Sequence, residues 1–414
     1  MTTNPPSIDL PARPRLRPGL AAVPDERAPG WFYLLDQLRL GGPPVRLTGL
    51  ELMCAELLTG LRDLRAVQSD LMQRVGGILI PLGMITELVA KLDAALFLDS
   101  PRFRERLAGP VREPSCIGCY PPDPDAIRKQ LSGLFAAPGG PGIPNEPGCR
   151  AGEGPSRLRA VLVPHMDYNR GGVTYGWGFR ELVERTDARL FVIIGTAHYS
   201  AHRFTLTRKH FKTPLGLVET DQGYIDRIVS HYGDGLFDDP IAHLPEHSIE
   251  LEVLLLQFLF GGRPFRIVPL VVGSFQDSVG EGTDPGEKED VRRMIESLRR
   301  AEAEAREPVC YVISGDLAHI GPKFGDAEPV GEKLLIHSRN QDEAILDRAE
   351  RADVAGYFRL IAQEGDARRI CGLPPTYTAL GAAQPRQGKR LHYGRYIHPK
   401  GFESVSFASV AFYG

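Results

Sequence analysis

Four short runs of almost wholly apolar residues, Arg159–Val163, Leu190–Ile194, Phe265–Val272 and Val309–Ser314, set the pattern of the later part of the chain. A strand that is apolar at nearly every position must be covered on both faces, which is the situation of a central strand in a sheet. Between and after these runs, Gly178–Arg185, Gln222–His231, Ser248–Phe260, Glu287–Ala305 and Gly331–Arg351 carry helical patterns. Alternation of this kind predicts an α/β domain, a central mixed sheet flanked by helices. A late alternating segment, Ser404–Phe412, is expected to close the sheet.

The chain has 414 residues, which is long for one core, so a second domain is expected. Residues 1–30, with many Pro and Arg, read as an extended arm. From Trp31 the pattern changes. Trp31–Leu35 reads as a strand, Thr48 as the cap of a helix from Gly49 to Thr59, and two further helical stripes follow. These are Leu64, Val67, Leu71 and Val75, then Ile85, Leu88, Val89, Leu92 and Leu96. Residues 31–105 are therefore expected to form a small winged-helix-like accessory domain, and residues 110–414 the α/β domain. Asp123-Pro124 opens a helix with Ile127, Leu131 and Leu134 on its apolar face. The Gly/Pro-dense stretch 136–156 is expected to be a flexible loop.

Hydrophobic residues make up 42% and charged residues 24%, which excludes a disordered chain. A net charge of −3 without a basic block argues against nucleic acid as a partner. No apolar run reaches the ~18 residues of a membrane span, and the N-terminus lacks a signal-type apolar region, so the expected location is cytoplasmic. Six cysteines dispersed through so long a chain do not make a disulfide scaffold. Cys116 and Cys119 have CxxC spacing but no second pair, and read as incidental; Cys54, Cys149 and Cys310 read as structural.

Ligands of open α/β sheets bind at the loops beyond strand ends. Three of the apolar runs lead into such loops with polar residues: Pro164-His165-Met166-Asp167-Tyr168, Gly195-Thr196-Ala197-His198, and Ser314-Gly315-Asp316-Leu317-Ala318-His319. Imidazole and carboxylate together suit first-row transition metals: non-haem Fe(II), or zinc with a bound water. Glu246-His247 opens an apolar helix, where an acid is favoured by the helix dipole and His247 can face a cleft. Cys371 stands in a Gly/Pro turn before the helix Thr376–Ala383, where a thiol can be acidified.

These segments, together with Glu246-His247-Ser248-Ile249-Glu250, Ile370-Cys371-Gly372-x-Pro374 and Arg112-Glu113-Pro114-Ser115, resemble the Memo family in content and order. The bacterial branch of that family is called AmmeMemoRadiSam system protein B. The resemblance implies a fold similar to class III extradiol dioxygenases. It also implies His165, His198 and Cys371 as metal ligands, with Asp316 and His319 beside the metal. His319, Asp316, Glu246 and His247 are the groups expected to handle protons. Fe(II) is the expected metal, with copper or zinc as alternatives. A Cys where the dioxygenases have Glu changes the expected metal preference. The implied function is an iron-dependent redox enzyme working with a radical-SAM protein and an AMMECR1-domain protein on a small-molecule or peptide substrate. The alternatives are a non-catalytic peptide- or metal-binding scaffold and a zinc hydrolase. By a fainter likeness, the N-terminal module resembles small winged-helix domains that hold leader peptides.

Overall fold

The computed structural model describes residues 10–116, 118–153 and 156–414. The first residues of the expected arm, Ile117 and two residues of the Gly/Pro loop lie outside the described residues. The chain divides between Gly109 and Pro110 into two compact units.

In the first unit, β1 (Leu20–Pro24), β2 (Trp31–Asp36) and β3 (Val45–Thr48) form an antiparallel sheet in that order. Four helices follow: α1 (Gly49–Glu56), α2 (Leu64–Arg74), α3 (Leu82–Ala94) and α4 (Pro101–Ala108). Thr48 caps α1 as its position suggests. Its hydroxyl accepts from the Glu51 amide at 3.2 Å while the Glu51 carboxylate accepts from the Thr48 amide at 2.7 Å. The helix stops at Glu56, short of Thr59, because Thr59 bridges to Arg15. The expected arm is built into this unit as far as it is described. Leu16, Leu20 and Leu10 pack on the helical core, and the buried Arg17 pairs with Asp36 at 2.5 Å. Apolar residues spaced among prolines supply that contact without any periodicity.

The second unit runs β4 (Val111–Arg112), α5 (Pro124–Ala136), β5 (Leu158–Val163), α6 (Tyr168–Gly171), α7 (Val173–Arg185) and β6 (Leu190–Thr196). It continues with β7 (Phe204–Leu206), β8 (His210–Thr213), β9 (Gly216–Thr220), α8 (Gln222–Tyr232), α9 (His247–Phe260), β10 (Arg266–Val272) and α10 (Gln276–Glu281). Then come α11 (Glu289–Ala303), β11 (Val309–Ser314), β12 (His319–Ile320), α12 (Glu332–Glu350), α13 (Val354–Gln363), α14 (Leu373–Ala383), β13 (Gln387–Ile397) and β14 (Ser404–Tyr413).

The sheet order is β12-β14-β5-β11-β6-β10-β9-β8-β4, with β13 on β14 and β7 on β10. Its centre, β5-β11-β6-β10, is parallel, and β14 joins β5 antiparallel, so the sheet is mixed. Alternate residues of the central strands enter separate cores. Val192, Ile194 and Ile313 pack with α8, α11 and α14, whereas Phe191, Ile193 and Val312 pack with α5, α7 and α9. Two covered faces are what the unbroken apolar runs require. Of the stretch 136–156, Ala136 still belongs to α5 and the other described residues form no helix or strand; the buried Glu184 of α7 accepts from the Asn145 amide at 2.9 Å and from Arg150 at 3.2 Å. No described helix is long and apolar enough to cross a membrane.

Arg112 anchors the start of this unit. Fully buried, it pairs with Glu250 of α9 and donates to the carbonyls of Glu246 at 2.7 Å and His243 at 3.1 Å. Glu250 also takes the Tyr120 hydroxyl and the amides of Ser115 and Cys116. Cys116 and Cys119 are joined as a disulfide beside this network, which corrects their reading as incidental. A single CxxC without a second pair gave no sign of the tight turn that brings the sulfurs together. Removing one partner of a buried ion pair leaves an uncompensated charge. Arg112→Ala should therefore cost about 3–5 kcal/mol in chemical denaturation. The Arg112→Ala/Glu250→Ala double variant should cost clearly less than the sum of the two single changes.

Candidate metal centre

Parallel strands deliver their carboxyl ends to one edge of the sheet. His165 follows β5, His198 follows β6, and Asp316 and His319 follow β11. Across the crevice stand the start of α9, with Glu246 as its N-cap, and the turn before α14 that carries Cys371.

His165 is only 2% exposed. Its Nδ1 lies 3.2 Å from the Ser314 carbonyl, which turns Nε2 toward the Cys371 Sγ at 3.2 Å and Asp316 Oδ2 at 3.7 Å. His198 donates its amide and Nδ1 to the two oxygens of Glu246, at 2.8 and 2.9 Å. His247 Nδ1 is 3.3 Å from the same carboxylate, and its ring stacks on His198 with centroids 4.7 Å apart. The rings of His198 and His247 lie 5.1 and 5.4 Å from that of His165. His319 fixes its Nδ1 on the carbonyls of Leu317 and Arg369, both at 3.1 Å.

Two donor groups result, each with ligand atoms within 4.8 Å of one another: His165, His198 and His247, and His165, Asp316 and Cys371. His165 belongs to both, and His319 to neither. Ligand bonds of about 2.0–2.3 Å place donor atoms roughly 3–4 Å apart, so these residues can close on one ion with small adjustments. Nδ1 atoms held by a carboxylate or carbonyl, with Nε2 left open, are the outer-shell pattern of metal-ligating imidazoles. The residues fit a transition-metal ion.

Water exclusion sets the charges. Burial, with His198 and His247 nearby, lowers the His165 pKa well below its usual value; burial likewise lowers His247 and His319 to about 4. His319, one of the groups expected to handle protons, is thus neutral at pH 7. Burial works against an ionised Glu246, but His198 and then His247 outweigh it and hold the carboxyl well below the usual range. Burial likewise opposes a charged His198, yet Glu246 raises its pKa. Burial lifts Asp316 to about 7.

Cys371 departs from expectation. Its thiol is raised well above the usual value, first by burial and then by Asp316, and is not acidified by the following helix. Glu246, expected among the proton-handling groups, has its carboxylate fully buried behind two imidazoles, where it orients them.

Ser314 has no side-chain signature that marks it as the anchor of His165. Buried His243, which donor spacing also fails to single out, sits apart with Nε2 2.9 Å from the Thr205 carbonyl. Beside Cys371 a cavity of about 200 Å³ is lined by Thr196, Phe275, Gln276, Asp366 and Arg369. A larger hollow, of about 620 Å³, includes Arg189 and Arg266 at the opposite ends of β6 and β10, away from these donors.

The two halves of the second donor group meet through backbone. Gly372 N donates to the Asp316 carbonyl at 2.9 Å, and a Cβ on Gly372 would lie 2.6 Å from that oxygen. Gly372→Ala should therefore push the Cys371 turn from Asp316, costing about 1–3 kcal/mol. Metal uptake measured by titration should fall with it. Gly280→Ala, whose Cβ meets nothing within 4 Å, is the control that should leave uptake unchanged.

Residues 112–412 match the family model described as Memo-like protein. A MEMO1 family protein of Aquifex aeolicus is 23% identical over 395 residues, covering 92% of this chain and 96% of its own length, so the likeness extends into the first unit. One of Methanopyrus kandleri is 26% identical over 309 residues, covering 73% of this chain and 98% of its own. One of Caldivirga maquilingensis is 29% identical over 263 residues, covering 61% and 83%. The ordered motifs of the strand-end crevice and a family match over nearly the whole second unit agree: this chain belongs to the Memo-like family.

Proposed function

We propose that this protein is a metal-dependent redox enzyme, with a class III extradiol dioxygenase-like α/β domain and a centre that takes Fe(II). The supporting observation is the convergence of His165, His198 and His247, each Nδ1 held from behind, on the side of the crevice that also carries Cys371 and Asp316. Fe(II) bound there would supply a redox centre with positions left open for substrate.

The chain's own groups do the rest. Glu246 and Ser314 orient the imidazoles. His319, neutral at pH 7, accepts a proton at Nε2, and Asp316, with its pKa near 7, exchanges one close to the donors. The cavity beside Cys371 has room for a small molecule or one peptide side chain. The first unit is read as a winged-helix-like docking module for radical-SAM and AMMECR1-domain partners, a role that rests on the family resemblance.

Purification without air, loading with Fe(II) and metal analysis test the centre. His165→Ala should lower iron affinity more than about 100-fold, beyond what outer-shell changes cause; equal iron in both proteins would exclude the site. Oxygen consumption with catechols and peptides then tests turnover, which His319→Ala should abolish. A protein that binds iron but consumes no oxygen with any of them would instead be the scaffold with a dioxygenase-like pocket.

A further inference from the structure

Arg369 holds a backbone conformation that a residue with a side chain seldom takes. Its φ is +55°, in the left-handed region where a Cβ crowds the backbone. Such a conformation persists only where its surroundings impose it. Asp366, at the start of the same turn, has φ +49°. The Asp366 carboxylate accepts from the Ile370 amide at 2.7 Å and from the Gln276 side chain at 2.8 Å, and its carbonyl accepts from the Arg369 amide at 2.8 Å. The turn so held leads into Cys371, whose carbonyl takes the Thr196 hydroxyl at 2.8 Å.

From this turn His319 is gripped by backbone and side chain together. Its amide donates to the Arg368 carbonyl at 2.6 Å, its Nδ1 lies 3.1 Å from the Arg369 carbonyl, and its own carbonyl accepts from Arg369 Nη1 at 3.1 Å. Nη2 of the same guanidinium pairs with Asp326 Oδ1 at 2.7 Å, so the planar fork spans two acceptors at once. A carbonyl can only accept, so Nδ1 carries the ring proton and Nε2 keeps its lone pair. The other acceptor at Nδ1, the Leu317 carbonyl, belongs to the histidine's own turn and moves with it. Arg369 supplies the acceptor that comes from a distant segment, 50 residues on in the chain.

We propose that Arg369 is a positioning residue for His319: its left-handed backbone presents the carbonyl to Nδ1 while its guanidinium holds the His319 carbonyl, which fixes the ring against the Cys371 turn with Nε2 left to accept a proton. The inference rests on reading His319 as the proton acceptor of the redox centre. The bland alternative is a surface ion pair with Asp326, which adds a little stability and leaves the ring as it is.

The test uses the full chain without metal at pH 7, as wild type, Arg369→Ala and Arg369→Gly, with the ring nitrogen resonances of His319 as the readout. Wild type should show one tautomer, protonated at Nδ1. Alanine removes the guanidinium and resists the left-handed backbone, so both tautomers should appear at His319. The resonances of His243, anchored apart on the Thr205 carbonyl, should stay where they are. Glycine accepts the left-handed backbone and loses only the guanidinium. Its His319 should be disturbed beyond wild type but less than in alanine, and it serves if Arg369→Ala does not fold. Where the Fe(II)-loaded protein consumes oxygen with a catechol or peptide, Arg369→Ala should lower kcat by about 10–100-fold with KM within about twofold.

Wild-type His319 resonances in the alanine variant, or in glycine where alanine does not fold, would overturn the proposal. So would a wild type with both tautomers populated, or His243 resonances that move together with those of His319. A wild type that consumes no oxygen would count against the redox reading alone, because the His319 resonances still decide what Arg369 does.

Discussion

A carboxylate shut away from water at the head of α9 governs the architecture of the crevice. Glu246 is fully buried, and a charge in that position persists only if donors surround it. The Ser248 amide, the His198 amide and the imidazoles of His198 and His247 meet that need, and in doing so they lose their freedom to turn. Two rings are thereby stacked with their Nε2 atoms available. The carboxylate is in turn located by α9, whose first turn is held by Arg112 through the Glu246 carbonyl and Glu250. Such pairs contribute little net stability after desolvation. What they supply here is orientation, and the sheet brings the remaining donors to meet them.

How much of this was legible in the sequence follows from what kind of atom makes each contact. Strands covered on both faces leave unbroken apolar runs, so β5, β6, β10 and β11 and the polar residues at their ends could be placed directly. β13 could not: it lies on the sheet's margin, half-exposed, with Lys and Arg among its residues. The cap of α1 was visible because Thr48 and Glu51 are side chains of a known pairing. The anchors of His165 and His319 were not, because they are the backbone carbonyls of Ser314, Leu317 and Arg369. Nor does any local pattern announce the Gly315–Gly372 approach, where a Cβ on Gly315 would come within 2.6 Å of Gly372 Cα.

Acidity was the least legible property. A thiol before a helix reads as acidified when only the local dipole is considered. At Cys371 the loss of solvent and the proximity of Asp316 act in the other direction and prevail. The same desolvation pushes His165, His247 and His319 toward their neutral forms. One environment therefore prepares imidazoles to bind a cation and leaves the thiol protonated.

That asymmetry bears on which donors an ion engages. Neutral imidazoles can bind without releasing a proton, whereas Cys371 must give one up, and its raised pKa makes that step costly unless the ion's own charge compensates. An ion with modest affinity for sulfur would gain most from His165 and His247, which burial keeps neutral, whereas His198, whose pKa Glu246 raises, favours its protonated form more than they do. A thiophilic ion can offset the proton's loss and draw His165 toward Cys371 and Asp316 instead. Because His165 is common to both groups, the two modes would compete for one ring, and the ion's affinity for sulfur would decide between them.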